Sequence, residues 1–366
     1  MTDNLQYKVA LSMIFGIGNI NAKKLIAYTG SVEGVFKEKK QNLEKIPGIG
    51  TKLSKEIINS DARVKAEEEI KFTEKNKIEV LFFNDKNYPE RLKHCEDAPI
   101  IIYQKGKYDL NKKKVLSIVG TRNATVNGKE NCDKIISDLS KRGHNPLIVS
   151  GLAYGVDICA HKAAIKNNLD TVAVLGHGFS TIYPAAHRKY AKEIIYNGTL
   201  LTEFPHNSKL EPSNFVRRNR IIAGISDATI VIESAKKGGS LITAELANSY
   251  NRDVFAFPGR ITDKYSEGCN LLIKTNRAAL IQNYKDIEYI LAWEKKNKKA
   301  IHPKLFVELN TEEQKIYDLL KEGKELSIDV ICFKINLPTS KVSAMLLNLE
   351  FQDLIISLPG KTYRIK

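Results

Sequence analysis

The chain has 366 residues with 43% hydrophobic content, which suits two or three globular domains. Lys and Arg outnumber Asp and Glu by 57 to 42, giving a formal net charge of +15 and an isoelectric point near 9.3. Such an excess favours a polyanionic partner, nucleic acid before others, unless a lysine-rich proteome merely raises the baseline. No run approaches the ~18 apolar residues of a membrane span, the start MTDNLQYK lacks a signal-peptide pattern, and the five cysteines stand far apart with no CxxC pair. A bilayer-spanning, disulfide-framed or zinc-ribbon protein is thereby disfavoured, and a reducing cytoplasm is expected.

The first element is a repeat. LSMIFGIGNINAKKLI (11–26) aligns without a gap with LEKIPGIGTKLSKEII (43–58), at an offset of 32. Each copy predicts a helix, a tight Gly-x-Gly turn and a second helix. Glycine permits the turn, and the amides opening the second helix face outward, where an anion can sit. The pattern resembles the tandem helix-hairpin-helix module, which grips DNA phosphates without reading bases. On that reading Gly16, Gly18, Gly48 and Gly50 present bare backbone, and Lys23, Lys24, Lys52 and Lys55 stand beside it. A helical bundle with glycine turns and no ligand is the alternative. Residues 1–77 are taken as this domain.

Residues 61–77 predict a charged helix. IEVLFF (78–83) and DAPIIIYQKG (97–106) each carry a strand, with NYPERL (87–92) between them as a turn and short helix. The pattern then becomes regular: VLSIVG, PLIVSG, TVAVLG, TLLTEF, ATIVIE and DVFAFPG are short apolar runs separated by helical stretches. Near-continuous apolar strands followed by helices mean a parallel sheet covered on both faces. An α/β fold is expected over 78–292, an extended Rossmann-like doubly wound sheet, with a core that folds alone. Ligands in such sheets sit beyond the carboxyl ends of the strands. The site should be built from GTRNAT (120–125), SGLAYGVD (150–157), GHGFSTIYP (176–184) and KKGGSLITAE (236–245).

Neither G-x-G-x-x-G after the first strand nor a Walker A sequence occurs, so an ordinary dinucleotide or nucleoside-triphosphate site lacks support, and no cofactor is expected. GGSLITAE is different. Two glycines and a serine open a helix, which makes an anion cradle. Lys236 and Lys237 precede Gly238-Gly239-Ser240, and Arg122 follows Gly120-Thr121 on the first loop. FVRRNRIIAG (215–224) adds Arg217, Arg218 and Arg220 at the edge of an apolar run, with no acid between Glu211 and Asp227. A bound phosphate chain would explain charge left unpaired. Salt bridges with remote acids are the alternative.

Together these loops resemble the DNA-processing protein A (Smf) family. The matching pieces include IVGTRNATVNGK, IVSGLAYGVDICAHKAAI, TVAVLGHGFSTIYPAAH, LLTEFP and NFVRRNRIIAGISDATIVIESAKKGGSLITAELA, in order, over roughly residues 78–282. The resemblance implies a homodimer that binds single-stranded DNA in a basic pocket and hands it to RecA recombinase in natural transformation, with double-stranded DNA a weaker partner. It implies a pocket of Gly120, Thr121, Arg122, Phe215, Arg218, Arg220, Lys237, Gly239 and Ser240. The chain departs from the family at Gly238-Gly239-Ser240, where Ser-Gly-Ser is usual, and at Gly268-Cys269-Asn270, where Gly-Thr-Asn is usual.

EKKNKKAIHPK (294–304) reads as a basic linker, placed at 293–308. Over 309–366 come helices near 312–322, 327–334 and 338–350 and then two strands around Pro359-Gly360. This order resembles a winged helix. Its third helix offers Lys341 as its only basic residue, too little for base readout. Catalysis has thin support. Asp157 and His161, four apart, lack a third metal ligand, and a negative charge in a first helical turn needs no catalytic reason. The rival reading is a nucleoside-monophosphate phosphoribohydrolase of the lysine-decarboxylase-like fold, with Glu245 presented to a phosphate held at Gly238-Gly239-Ser240.

Overall fold

The computed structural model describes residues 2–106, 108–293, 309–322, 325–352 and 354–365. Apart from Trp293, the expected linker lies outside them. The chain divides into two compact units, one ending at residue 294 and the other beginning at 295.

The first unit opens with helices Thr2–Met13, Asn19–Thr29, Val32–Lys37, Lys40–Leu43, Thr51–Asn59 and Ala62–Lys75. The two repeats share one turn geometry. Gly16 and Gly48 take φ of +79° and +91°, the left-handed region where a side chain is strained. Gly18 and Gly50 are extended N-caps without a side-chain acceptor, so the amides that follow stay bare. The second copy differs in its first helix, which is a single turn, Lys40–Leu43.

The sheet has nine strands: β1 (Glu79–Phe82), β2 (Ile101–Lys105), β3 (Val115–Val119), β4 (Leu147–Ser150), β5 (Thr171–Val174), β6 (Gly198–Thr202), β7 (Ala228–Val231), β8 (Asp253–Ala256) and β9 (Ala279–Leu280). Their order is β1-β2-β6-β5-β4-β3-β7-β8-β9. From β3 to β9 the neighbours pair parallel, while β1 and β2 form an antiparallel edge, β2 pairing antiparallel with β6. Strand β3 shows the two-faced burial behind the apolar runs. Val115 and Val119 pack on one face with Leu147 and Val231, against helices Pro212–Gly224 and Gly239–Ser249. Leu116 and Ile118 point to the other, against Val126–Lys141 and Val156–Lys166. The chain winds from β3 through β4 and β5 to β6, then returns to place β7, β8 and β9 on the opposite side of β3. That reversal is the switch point where such sheets leave a crevice.

The second unit holds helices Thr311–Glu322, Ile328–Ile335 and Thr339–Phe351 and a sheet of β10 (Leu326–Ser327), β11 (Ile355–Leu358) and β12 (Thr362–Ile365), ordered β10-β12-β11. Ile316, Leu320, Ile331, Val342, Leu346 and Leu349 close its core. Pro338 caps the third helix rather than entering its first turn. No single helix among the described residues is long and apolar enough to cross a membrane.

The helical segment is not a detached module. Leu11, Ile14, Leu25 and Ile49 share one core with Ile78, Phe82, Ile100, Ile101 and Tyr103 from the sheet edge. This corrects the expectation that the region from residue 78 onward stands alone, because a cut there uncovers that edge. Each large side chain returned to water forfeits ~1.5–3 kcal/mol. A fragment of residues 78–292 should therefore aggregate or melt well below one of residues 1–293. Differential scanning calorimetry of both decides it, and equal melting would show that the helices contribute nothing to this core.

Candidate nucleic-acid interface

At the switch point lies a cleft of ≈ 260 Å³. The loop after β3 brings Gly120, Thr121 and Arg122, the loop after β4 brings Ala153, and the first turn of helix Val156–Lys166 brings Asp157. Helix Pro212–Gly224 adds Phe215, Arg218 and Asn219, and the start of helix Gly239–Ser249 adds Gly238, Gly239 and Ser240.

Arg218 forms the floor. It is 3% exposed, and its Nη1 donates to the Val174 carbonyl at the end of β5. Gly151 makes room for it, since a Cβ there would lie 2.0 Å from Nη1. The buried Nε has no hydrogen-bond partner among the described residues. Burial pulls the Arg218 pKa down to about 10, with Asp157 opposing the shift and Arg122 adding to it. The group therefore stays charged at neutral pH. Burial raises the Asp157 pKa in turn, against the pull of Arg218. Arg122 is exposed on the rim, its guanidinium carbon 6.0 Å from the Phe215 ring centre. The amides of Gly239 and Ser240, which open helix Gly239–Ser249, lack intrahelical partners, while that of Leu241 donates to the Gly238 carbonyl at 3.1 Å. A Cβ on Gly239 would meet nothing within 4 Å, so a ligand can reach that backbone. The Ser240 hydroxyl is occupied, donating to Ser234 Oγ at 2.9 Å. Gly120 is required by close packing, its notional Cβ lying 2.4 Å from Val156 Cγ2.

The other arginines are not unpaired, which corrects the reading of 215–224. Arg217 and Arg220 both donate to Glu203 Oε2, at 2.7 Å and 2.5 Å. Arg220 is 7% exposed and also donates to the Asp97 carbonyl. Two residues apart on a helix, Arg218 and Arg220 diverge by about half a turn, so only Arg218 faces the cleft. Arg217 lies over Phe204, 5.3 Å from its ring centre. Lys236 and Lys237 are exposed and have no ion-pair partner among the described residues, but they stand outside the cleft lining. In the first repeat Lys23 turns inward. Its Nζ donates to the Glu96 carbonyl at 2.9 Å and burial lowers its pKa, so it is corrected from a phosphate contact to a docking contact. Asn19 does likewise, accepting from the Ile100 amide at 3.0 Å. Gly16, Gly18, Gly48, Gly50 and Lys52 remain exposed.

Asp157 and His161 face different partners. Asp157 lines the cleft, whereas His161 is fully buried and bonds Thr171 Oγ1 through Nδ1 at 2.7 Å. Glu245 lies on the surface, paired with Arg277 at 3.3 Å and outside the cleft lining. The rival phosphoribohydrolase reading needs it turned inward. Sequence reasoning missed Glu203, which ends an apolar strand run as its lone acid, and it missed Tyr154 and Tyr183, which sit on quoted loops in a recess beside Arg122 and Phe215.

The sequence profile of the DNA recombination-mediator protein A family matches residues 79–291, and that of the DprA winged helix domain matches residues 304–361. Protein Smf of Synechocystis is 34% identical over 279 residues, 75% of this chain and 70% of that protein. The DNA processing protein DprA of Streptococcus pneumoniae is 38% identical over 203 residues, 56% of this chain and 71% of that protein. The X-ray structure of DprA from S. pneumoniae superposes with a TM-score of 0.66 at 31% identity, covering 78% of this chain and 97% of that one. DNA processing protein A of Helicobacter pylori, a structure described for its single-stranded DNA binding mode, superposes with a TM-score of 0.53 at 29% identity, covering 59% and 96%.

The buried histidine beneath the cleft gives a pH signature. Burial, with Arg218 and His187 nearby, lowers the His161 pKa from 6.5 to about 3. The unfolded chain thus takes up this proton first as pH falls below 6.5. Stability from this group is complete above that pH and is lost toward pH 3 at ~1.4 kcal/mol per unit. Urea unfolding between pH 7.5 and 5 should show a steeper acid loss for the wild type than for His161→Gln. Parallel losses would mean that His161 titrates normally.

Proposed function

The chain belongs to the DNA recombination-mediator protein A family, and from that premise we propose that it binds and protects single-stranded DNA and hands it to RecA recombinase, acting as a homodimer in the cytoplasm. The observation that carries the reading is Arg218, a charged guanidinium with an unpartnered Nε on the floor of the cleft. Arg122, the bare amides at Gly239 and the Phe215 ring surround it. Cations and amides suit the phosphates, and the ring suits one base face. The relative from H. pylori supports the same polymer.

Contacts of this kind bind without choosing sequence. Double-stranded DNA is the weaker partner, because its bases are already stacked and paired. The reaction is binding alone. Asp157 and His161 point to separate partners, so they make no acid–base couple, and Glu245 is engaged by Arg277. In the second unit Lys341, the one basic residue of helix Thr339–Phe351, is paired with Glu312 at 2.6 Å. The winged helix is accordingly given a protein-contact or stabilising role rather than base readout. The exposed turn at Gly48-Ile49-Gly50 with Lys52 is an auxiliary phosphate contact. Lys236 and Lys237 raise the local potential outside the cleft.

The arginines separate the possibilities. Each true phosphate contact adds about 0.7 to the log–log salt slope of single-strand binding. Arg122→Ala should weaken binding at low salt and reduce the slope by about that amount. Arg220→Ala should leave the slope unchanged but lower the melting temperature, since it strips a buried partner from Glu203. Fluorescence anisotropy across a salt series, with circular dichroism for folding, reads both. If Arg122→Ala keeps the wild-type slope while Arg220→Ala loses it, the cleft has been assigned to the wrong face.

A further inference from the structure

Two aromatic side chains beside the cleft have no part in gripping phosphate. Tyr183, on the loop after β5, is 44% exposed, and Tyr154, on the loop after β4, is 49% exposed. Both line a narrow recess together with Arg122 and Phe215. The Tyr183 and Phe215 rings are 5.6 Å apart at 58°. Half-exposed rings next to a cationic rim are not core packing.

A buried histidine backs each tyrosine, through the backbone at Tyr183 and against the ring at Tyr154. His177 donates from Nδ1 to the Gly178 carbonyl at 2.9 Å, and its Nε2 accepts from the Tyr183 amide at 3.2 Å. Burial lowers the His177 pKa, which keeps that nitrogen an acceptor. His187 donates from Nδ1 to the Leu152 carbonyl at 2.8 Å and meets the Tyr154 ring edge-on at 4.9 Å. Leu152 is held at φ +61°, so this loop has one fixed course. Beyond His187, Lys162 lies 4.5 Å over the Tyr190 ring. Aromatic faces interleaved with cations, fixed in position and continuous with a phosphate cleft, form the arrangement that binds unpaired bases.

We propose that Tyr183 and Tyr154 form a stacking track for successive unpaired bases, extending the site from Phe215 across the loops after β5 and β4. The proposal rests on the reading of the cleft as a single-strand site and deepens it. The strand's phosphates sit at Arg218, Arg122 and the Gly239 amides while its next bases lie on the two tyrosines. Duplex DNA cannot use the track, because its bases offer no free face. The track therefore supplies strand selectivity, which phosphate contacts cannot.

The test uses the full chain and oligothymidylates of increasing length, with matched strands carrying abasic sites, across a salt series. Tyr183→Ala and Tyr154→Ala should each bind the longer strands roughly 5- to 100-fold more weakly. Their salt slopes should equal that of the wild type, since no phosphate contact is lost. Tyr183→Phe and Tyr154→Phe keep the ring and should restore binding. Abasic substitution should weaken the wild type more than the double alanine variant, which keeps only the Phe215 stack. Alanine variants that bind base-bearing strands like the wild type overturn the track but leave the cleft standing, as do variants whose loss appears as a reduced slope. A wild type that binds no single strand overturns the cleft reading and the track with it.

Discussion

Burying one guanidinium under the carboxyl ends of β4 and β5 sets the terms for the rest of the site. Removing such an ion from water costs several kcal/mol unless its hydrogen bonds are replaced. Arg218 has the Val174 carbonyl on one nitrogen, the field of Asp157 nearby and nothing on Nε. The protein tolerates that deficit because the surrounding backbone is fitted to it. Glycine at 151 leaves the volume the group occupies, and the core on one face of the sheet holds helix Pro212–Gly224 where it is. The result is a charge at the cleft that is fixed in direction and weakly screened. A surface lysine carries the same charge, but it must lose side-chain entropy on binding and is screened by salt.

The neighbouring arginines do a different task with the same side chain. Arg217 and Arg220 share one carboxylate oxygen of Glu203, and Arg220 reaches the Asp97 carbonyl as well. Their planar forks serve as cross-links between the helix and the end of β6, and the helix is thereby locked in rotation about its axis. That rotation decides which face turns to the cleft. Arg218 points inward because Arg220, half a turn away, is tied to the opposite side. The structural pair thus shapes the cleft through the orientation of Arg218. The charge excess of the whole chain acts at longer range, raising encounter rates with a polyanion without fixing its place.

Much of this was legible in the residues. The six apolar runs between 115 and 259 each became a strand, because burial on both faces leaves a continuous apolar signature that periodicity detects. The Gly-x-Gly repeat was legible for a related reason, since positive φ at Gly16 and Gly48 admits few other residues. Short strands escaped. Residues 279–280 and 326–327 form two-residue ladders whose stability comes from their neighbours rather than from their own sequence. The pairing of Arg217 and Arg220 escaped too, because Glu203 lies more than a dozen residues away and reaches them only through the winding of the sheet. The tyrosines were hidden in the same way. Tyr154 and Tyr183 belong to separate loops, and only the parallel register of β4 and β5 sets those loops side by side.

The Glu96-Asp97 segment shows how the helical region and the cleft are joined through one backbone stretch. The Glu96 carbonyl accepts from Lys23, on the second helix of the first repeat. The Asp97 carbonyl accepts from Arg220, and its carboxylate accepts from the Tyr250 hydroxyl at 2.7 Å, just past helix Gly239–Ser249. Two residues therefore bind the first repeat, the arginine helix and the end of the helix whose start forms the anion cradle. Hydrogen bonds to charged donors contribute more than neutral ones, about 1.5–3 kcal/mol each, and both arginine and lysine supply them here. The inward turn of Lys23 follows from this arrangement. The first repeat uses Lys23 to dock, while the glycine turns of both repeats, Lys24 and Lys52 stay exposed. The segment thereby fixes the first repeat relative to the arginine helix and to the helix that opens at Gly239.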